Sequence, residues 1–315
     1  MPTLRLGTFN VENLFARFKF NSNVNPDTAV RDGWDVSKTH FDILDEASKQ
    51  ITGALIRSTG ADVLCLQEVE NLDTLKHFRA DYIRGGRSTY PYALSIDGND
   101  KRLIDVAVLS KNPIVRARSN QELRIGRSYI FSRDCLELEI DVDGSPLYLF
   151  INHLKSMLDK KDPKNGRKNT FAKRQLQAQT VRQIVEERFG KKAGSKPFVV
   201  LGDLNDYMQV DEFGEPAIGD LVDWNQVENV VLRRPAEEQW THYQAKRGAV
   251  PASYQQLDYL LVSRSLAQAT DAEPEIFRKG LARNADRYSG PRFPKVGARK
   301  PVASDHCPVV IELKL

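Results

Sequence analysis

Apolar residues recur along the chain in short runs, and the spacing within each run predicts its element. LRLGTFNV, DVLCLQEV, IDVAVLS, CLELEIDV, LYLFINHL, FVVLGDL, LDYLLVS and CPVVIELKL are rich in Val, Leu and Ile. Several alternate with period two, the pattern of strands packed on a core. Two segments carry helical spacing instead. In DILDEASKQITGALIRS, Ile43, Leu44, Ala47, Ile51, Ala54 and Leu55 fall on one face. In TFAKRQLQAQTVRQIVEERFG, Phe171, Leu176, Val181, Ile184 and Val185 do nearly the same, and Gly190 is a natural stop. Many strands with few interspersed helices predict layers of sheet covered by helices. No internal repeat or low-complexity linker breaks the 315 residues, so a single domain over 1–315 is expected.

The ends of these strands break the apolar pattern. FVVLGDL runs into Asp203, Asn205 and Asp206, although acids and amides are costly to gather at the end of a buried strand. Asp206 reads as a turn cap. The other two have counterparts elsewhere: Asn10, Glu12 and Asn13 in TFNVEN, Glu68, Glu70 and Asn71 in LQEVEN, Asn152 and His153 in INHLKS, Asp258 in LDYLL, and Asp305 and His306 in SDHCPVV. One shared pocket at an edge of the sheets accounts for all of them. The set is dominated by oxygen donors, which favour Mg²⁺ or Mn²⁺ over zinc. A histidine beside an aspartate suits activation of water. Together they point to metal-assisted attack of water on a phosphate ester.

Composition excludes several classes. With 41% hydrophobic and 28% charged residues the chain is ordinary for a soluble globular protein, and no run of 18 apolar residues exists to span a membrane. The start, MPTLRLGTFNV, has no apolar signal-peptide core, so a cytoplasmic location is expected. Cys65, Cys135 and Cys307 form neither a disulfide framework nor a C-x-x-C pair. No obligate protein partner is evident.

A net charge of +4 is mild, but its distribution is uneven. Lys155, Lys160, Lys161, Lys164, Arg167, Lys168, Lys173 and Arg174 crowd one segment, and a second from Arg278 to Lys300 is equally basic. Two such segments beside candidate catalytic motifs suggest a polyanion, with nucleic acid as the expected substrate. Few aromatics interleave with them, Tyr288 and Phe293 being the nearest, so no stacking platform is evident.

The ordered series FNVEN, LQEVEN, INHLKS, GDLND, LDYLLVS and SDHCPVV resembles the endonuclease/exonuclease/phosphatase superfamily, which includes deoxyribonuclease I-like nucleases, AP endonucleases, sphingomyelinases and inositol polyphosphate phosphatases. The resemblance runs from Gly7 to the C-terminus. It implies a four-layer α/β sandwich with two central, mostly antiparallel sheets flanked by helices. It also implies roles: Asn10 orients Asp203, Glu68 is the principal Mg²⁺ ligand, and Glu12 assists at or near the metal. By the same resemblance Asp203 positions or deprotonates water, Asn205 contacts the scissile phosphate, and His306, oriented by Asp258, meets the phosphate or serves as base. Asp305 lies on the metal side. His153 stands where AP endonucleases tend to carry tyrosine, which disfavours AP-site specificity. FSRD resembles a deoxyribonuclease segment whose acid supports that histidine, so Asp134 is its expected partner. Asn152, Lys155, Arg102 and Arg174 are expected to bind substrate. The leading expectation is a metal-dependent nuclease, with a phosphatase or phosphodiesterase of small or lipid-linked esters as the alternative. A catalytically silent module on the same fold is disfavoured because Glu68, Asp203 and His306 are all present.

Overall fold

The computed structural model describes residues 2–14, 18–20, 41–43, 46–83, 90–100, 102, 104–246, 248 and 251–315. Twelve strands build two six-stranded sheets. In chain order they are β1 (Thr3–Leu14), β2 (Val63–Val69), β3 (Tyr92–Ser95), β4 (Asp105–Ser110), β5 (Ile114–Arg118) and β6 (Cys135–Val142). They continue with β7 (Ser145–His153), β8 (Phe198–Asp203), β9 (Val227–Asn229), β10 (Asp258–Ser263), β11 (Glu275–Ile276) and β12 (Val309–Lys314). The first sheet runs β11-β12-β1-β2-β4-β3 and the second β9-β10-β8-β7-β6-β5. Each is antiparallel except for one central parallel pair, β1 with β2 and β8 with β7.

Alternation along the strands decides what faces what. Leu4 and Leu6 of β1, Val63 and Cys65 of β2, Leu149 and Ile151 of β7, Val199 and Leu201 of β8 and Leu260 and Val262 of β10 share one buried cluster between the sheets. The opposite face of the first sheet, with Phe9, Leu64 and Leu66, packs on Ile51 and Leu55 of α1 (Glu46–Thr59). The opposite face of the second, with Phe150, Phe198 and Val200, packs on Val181 and Val185 of α3 (Phe171–Phe189). The layers are therefore helix, sheet, sheet, helix. Burial of each such side chain stabilises by roughly 1.5–3 kcal/mol. A short helix, α2 (Leu72–Phe78), follows β2, and Asn71 caps it by accepting from Thr74 N at 2.8 Å. Among the described residues no helix is long and apolar enough to cross a membrane.

Two helix expectations need correction. Residues Phe41–Ile43 form a short strand paired with Phe18–Phe20, so α1 starts at Glu46; Leu44 lies outside the described residues. The buried face of α3 is also not purely apolar, because Arg174 and Gln177 are on it while Phe171 and Leu176 are only partly covered.

Candidate active site

The same alternation that fills the core with aliphatic residues brings polar ones together where the strands end. Asn10 continues the inner row of Leu4 and Leu6, His153 that of Leu149 and Ile151, Asp203 that of Val199 and Leu201, and Asp258 that of Leu260 and Val262. In register, Asp203 lies between His153 of β7 and Asp258 of β10. Gly202 makes that close pairing possible. Its φ is +129°, and a Cβ there would stand 1.9 Å from the carbonyl oxygen of Asn152.

Glu68 and Glu12 do not follow the alternation. In β2, Leu64, Leu66 and Val69 all join the outer cluster, so one extra residue has been inserted between them. Pairing shifts register between Gln67 and Val69, and again in β1 between Asn10 and Leu14. At these bulges Glu12, Asn13 and Glu68 take φ of +49°, +59° and +65°, and Asn205, just past β8, takes +54°. Bulges re-aim side chains, and left-handed backbone at non-glycine residues is held only where the surroundings enforce it. Here the peptide N–H of Asn13 donates to Glu68 Oε2 at 2.9 Å.

Asp203 is the centre of the cluster. Its Oδ2 accepts from Asn10 Nδ2 and from Asn205 Nδ2, both at 3.0 Å, and its Oδ1 accepts from Asn205 N at 2.8 Å. His153 Nε2 lies 3.5 Å from Asp203 Oδ2 and 3.8 Å from Glu68 Oε1. On the other side, His306 Nε2 is 3.9 Å from Asp203 Oδ2, while its Nδ1 is 2.8 Å from Asp258 Oδ2. Asp258 Oδ2 also accepts from Thr241 Oγ1 at 2.7 Å. Ser304 Oγ donates to Asn10 O at 2.7 Å and accepts from His306 N at 3.0 Å, joining the histidine's loop to β1.

Burial sets the charges. It pushes the Asp203 carboxyl up to about 7, with His306 pulling down and Asp258 adding to the rise. For His306 burial disfavours the charge, yet Asp258 and Asp203 outweigh it and hold the imidazole well above its ordinary value. His153 moves the opposite way, driven well below its ordinary value by burial and then by the nearby Arg133 guanidinium. Two buried imidazoles in one pocket are thus kept in opposite protonation states.

The donor set fits a hard divalent cation. Glu68, Glu12 and Asp305 offer carboxylate oxygens. Glu12 is raised by burial and by the charges of Asp305 and Glu68, with Lys300 Nζ, 2.7 Å from Glu12 Oε1, opposing the rise. A cation beside Glu12 would relieve that cost.

Not every expected residue joins this site. No hydrogen bond joins Asp134 to His153: Asp134 Oδ1 accepts from Asn120 N at 2.8 Å, while Asp134 Oδ2 and His153 Nδ1 are both buried with no hydrogen-bond partner among the described residues. Asn152 points to the outer face, fully buried, with Nδ2 donating to Phe150 O at 2.8 Å. Arg174 is fully buried and cannot meet substrate, because its Nε donates to Asp206 Oδ2 at 3.0 Å. Asp206 is more than a turn cap, since Arg167 Nε also donates to its Oδ1 at 2.8 Å. Lys155 Nζ donates to the carbonyls of Ser156 and Leu158, both at 3.0 Å. Arg102 stays half-exposed at the rim, bound through Nε and Nη2 to Asp100 and close enough to Glu68 to feel its charge. Asp305 is partly exposed, 3.7 Å from His242 Nε2.

Sequence reasoning missed His242, Thr241, Arg133 and Lys300. Arg133 is buried, shares Asp100 with Arg102 and donates to Leu154 O, the carbonyl to which Asn205 Nδ2 also donates. It stands next to Asp134 in FSRD, where an arginine beside a chosen acid was the available signal. Thr241 and His242 sit in a short hairpin of His242–Gln244 with Ser253–Gln255, and a strand end carrying two polar residues marked them too.

Residues 7–306 match the model of the Endonuclease/Exonuclease/phosphatase family. No curated protein matches the chain. Among solved structures, truncated Caenorhabditis elegans TDP2 is similar at 13% identity and TM-score 0.57, over 99% of this chain and 98% of that one. D. rerio TDP2 complexed with single strand DNA product is similar at 15% identity and TM-score 0.57, over 99% of each chain. A Bacteroides thetaiotaomicron mannosyl-6-phosphatase is similar at 16% identity and TM-score 0.56, over 99% of this chain and all (100%) of that one. These similarities carry the fold alone. On a family match that runs from within β1 to His306, the chain belongs to the Endonuclease/Exonuclease/phosphatase family.

Proposed function

We propose that the chain is a divalent-metal-dependent phosphodiesterase that hydrolyses nucleic acid, cutting internally. The observation that carries this reading is the buried Asp203, fixed by Asn10 and Asn205 and facing a His306 whose other nitrogen is held by Asp258. Asp203 titrates near 7, so it accepts a proton from water at neutral pH. His306, held protonated, presents Nε2–H to the phosphate and stabilises the charge that develops there. His153 stays neutral and turns Nε2 toward the gap between Asp203 and Glu68, where it orients a phosphate oxygen. Glu68 and Glu12, with Asp305 nearby, would hold Mg²⁺ or Mn²⁺, which when bound neutralises charge on the phosphate.

A polymeric substrate is supported by exposed cations: Lys160, Lys161, Lys164 and Lys168 on one segment, and Lys279, Arg283, Arg287, Lys295 and Arg299 on the other. A TDP2 of the same fold is complexed with single strand DNA product. One observation favours the small-ester alternative. Arg167, Arg174 and Arg278 are turned inward onto Asp206 and backbone carbonyls, so the surface is less basic than the sequence.

The test is cleavage of supercoiled plasmid, single-stranded DNA and RNA in Mg²⁺, Mn²⁺ or EDTA, with His306→Ala as control. Nicking that needs metal and falls by about 10²–10⁴-fold in the variant is expected. Inertness toward every polymer, with turnover of small phosphate esters, would replace this reading by the alternative.

A further inference from the structure

His242 belongs to no role assigned above, yet its ring lies against that of His306, centroids 4.6 Å apart and planes at 53°. The two residues are paired by an isolated bridge between their backbones, which fixes the rings side by side. Asp305 completes the group, its Oδ2 3.7 Å from His242 Nε2, and one ligand atom from each of the three residues lies within 4.8 Å of the others. We propose that His242, Asp305 and His306 form a transition-metal site of the zinc class, which shares only Asp305 with the oxygen-donor site at Glu68 and Glu12, and that filling it switches the enzyme off.

The chemistry of the donors separates the two sites. Two imidazoles and one carboxylate select zinc-like ions, whereas the carboxylates at Glu68 and Glu12 select magnesium-like ones. Ligand atoms about 2 Å from a tetrahedral zinc stand roughly 3.4 Å apart, so the 3.7 Å spacing of His242 and Asp305 needs only a small adjustment. The outer shell is already built. Asp258 engages His306 Nδ1 at 2.8 Å, so the metal binds at Nε2 and displaces its proton to solvent, and Thr241 in turn holds Asp258. Carboxylates that orient a ligating histidine in this way are a recurring part of zinc sites. Entry is through Asp305, whose side chain is 44% exposed while the histidines are 13% and 8% exposed.

Inhibition rests on the hydrolase reading, because the metal takes the His306 nitrogen that faces the phosphate; binding itself does not. Calorimetric titration with Zn²⁺ in excess Mg²⁺ therefore tests the site without any substrate. Wild-type protein is expected to bind one equivalent. His242→Gln and Asp305→Asn, each checked for a native circular-dichroism spectrum, should bind roughly 100-fold more weakly or worse. Glu68→Gln should bind as wild type does. In the polymer cleavage assay, the zinc inhibition constant should rise in parallel for His242→Gln, taken relative to its own uninhibited rate. The site is overturned if wild type binds no zinc, if His242→Gln and Asp305→Asn bind it as well as wild type, or if Glu68→Gln abolishes it. Intact zinc binding with no cleavage of any polymer would discard the nuclease reading and leave the metal site standing.

Discussion

Asp203 and His306 are each useful because the other is present. The acid is raised toward neutrality by burial and the imidazole is held charged by Asp258 and Asp203, so the active form has Asp203 ionised and His306 protonated. Turnover should therefore rise with pH through about 7 as Asp203 loses its proton. It should fall again only above the ordinary histidine range, when His306 loses its own. Asp258→Asn removes the negative charge that favours the imidazolium, so the alkaline limb of the pH–rate profile should move to lower pH. A limb that stays put would separate Asp258 from the protonation of His306. At this scale the sequence showed the chemistry but not the depth. Asp203, Asn205, His153, Asp258 and His306 stood out because polar groups ended apolar strands. Arg174 and Asn152 were misread for lack of that same information: nothing in a linear pattern says that an arginine opening a helix will be enclosed by Asp206, or that Asn152 faces away from its neighbour His153.

The strands that could be read were those whose alternation is enforced by burial. β8 and β10 are buried along their whole length, and their apolar runs announce it. The edge strand β5 was not visible for the opposite reason. β5 is exposed at all but its first residue, and its sequence IVRAR answers to solvent rather than to a core. The bulges at Glu12 and Glu68 were equally hidden, since a one-residue insertion leaves composition unchanged while turning a side chain to the other face. Between β8 and α3 the decisive element is ionic. Asp206 is fully buried with Arg167 and Arg174 both donating to it, and it also accepts from Ala217 N at 2.9 Å. Removing it takes the carboxylate from the fully buried Arg174, while Arg167 keeps Asp211 at 2.8 Å. Asp206→Ala should destabilise the fold by about 3–5 kcal/mol, read as a drop in the thermal unfolding midpoint. A change within error would mean that water reaches those arginines.

For the molecule as a whole, substrate size is a question of charge spread over the surface. Lys160, Lys161 and Lys164 are exposed, and charge spread along such a segment matters most to a long polyanion. Reversing all three should raise the apparent KM for polymer and flatten its dependence on salt, while small-ester turnover stays level. An unchanged salt response would show that this segment never touches substrate. The left-handed backbone at Glu12, Asn13, Glu68 and Asn205 has a consequence of another kind. Each such position costs on the order of 1 kcal/mol that glycine would recover. A library selected for heat resistance alone would accumulate glycines there and drift toward a sturdy, inert scaffold. Sustained selection for catalysis is therefore needed to keep those residues in place.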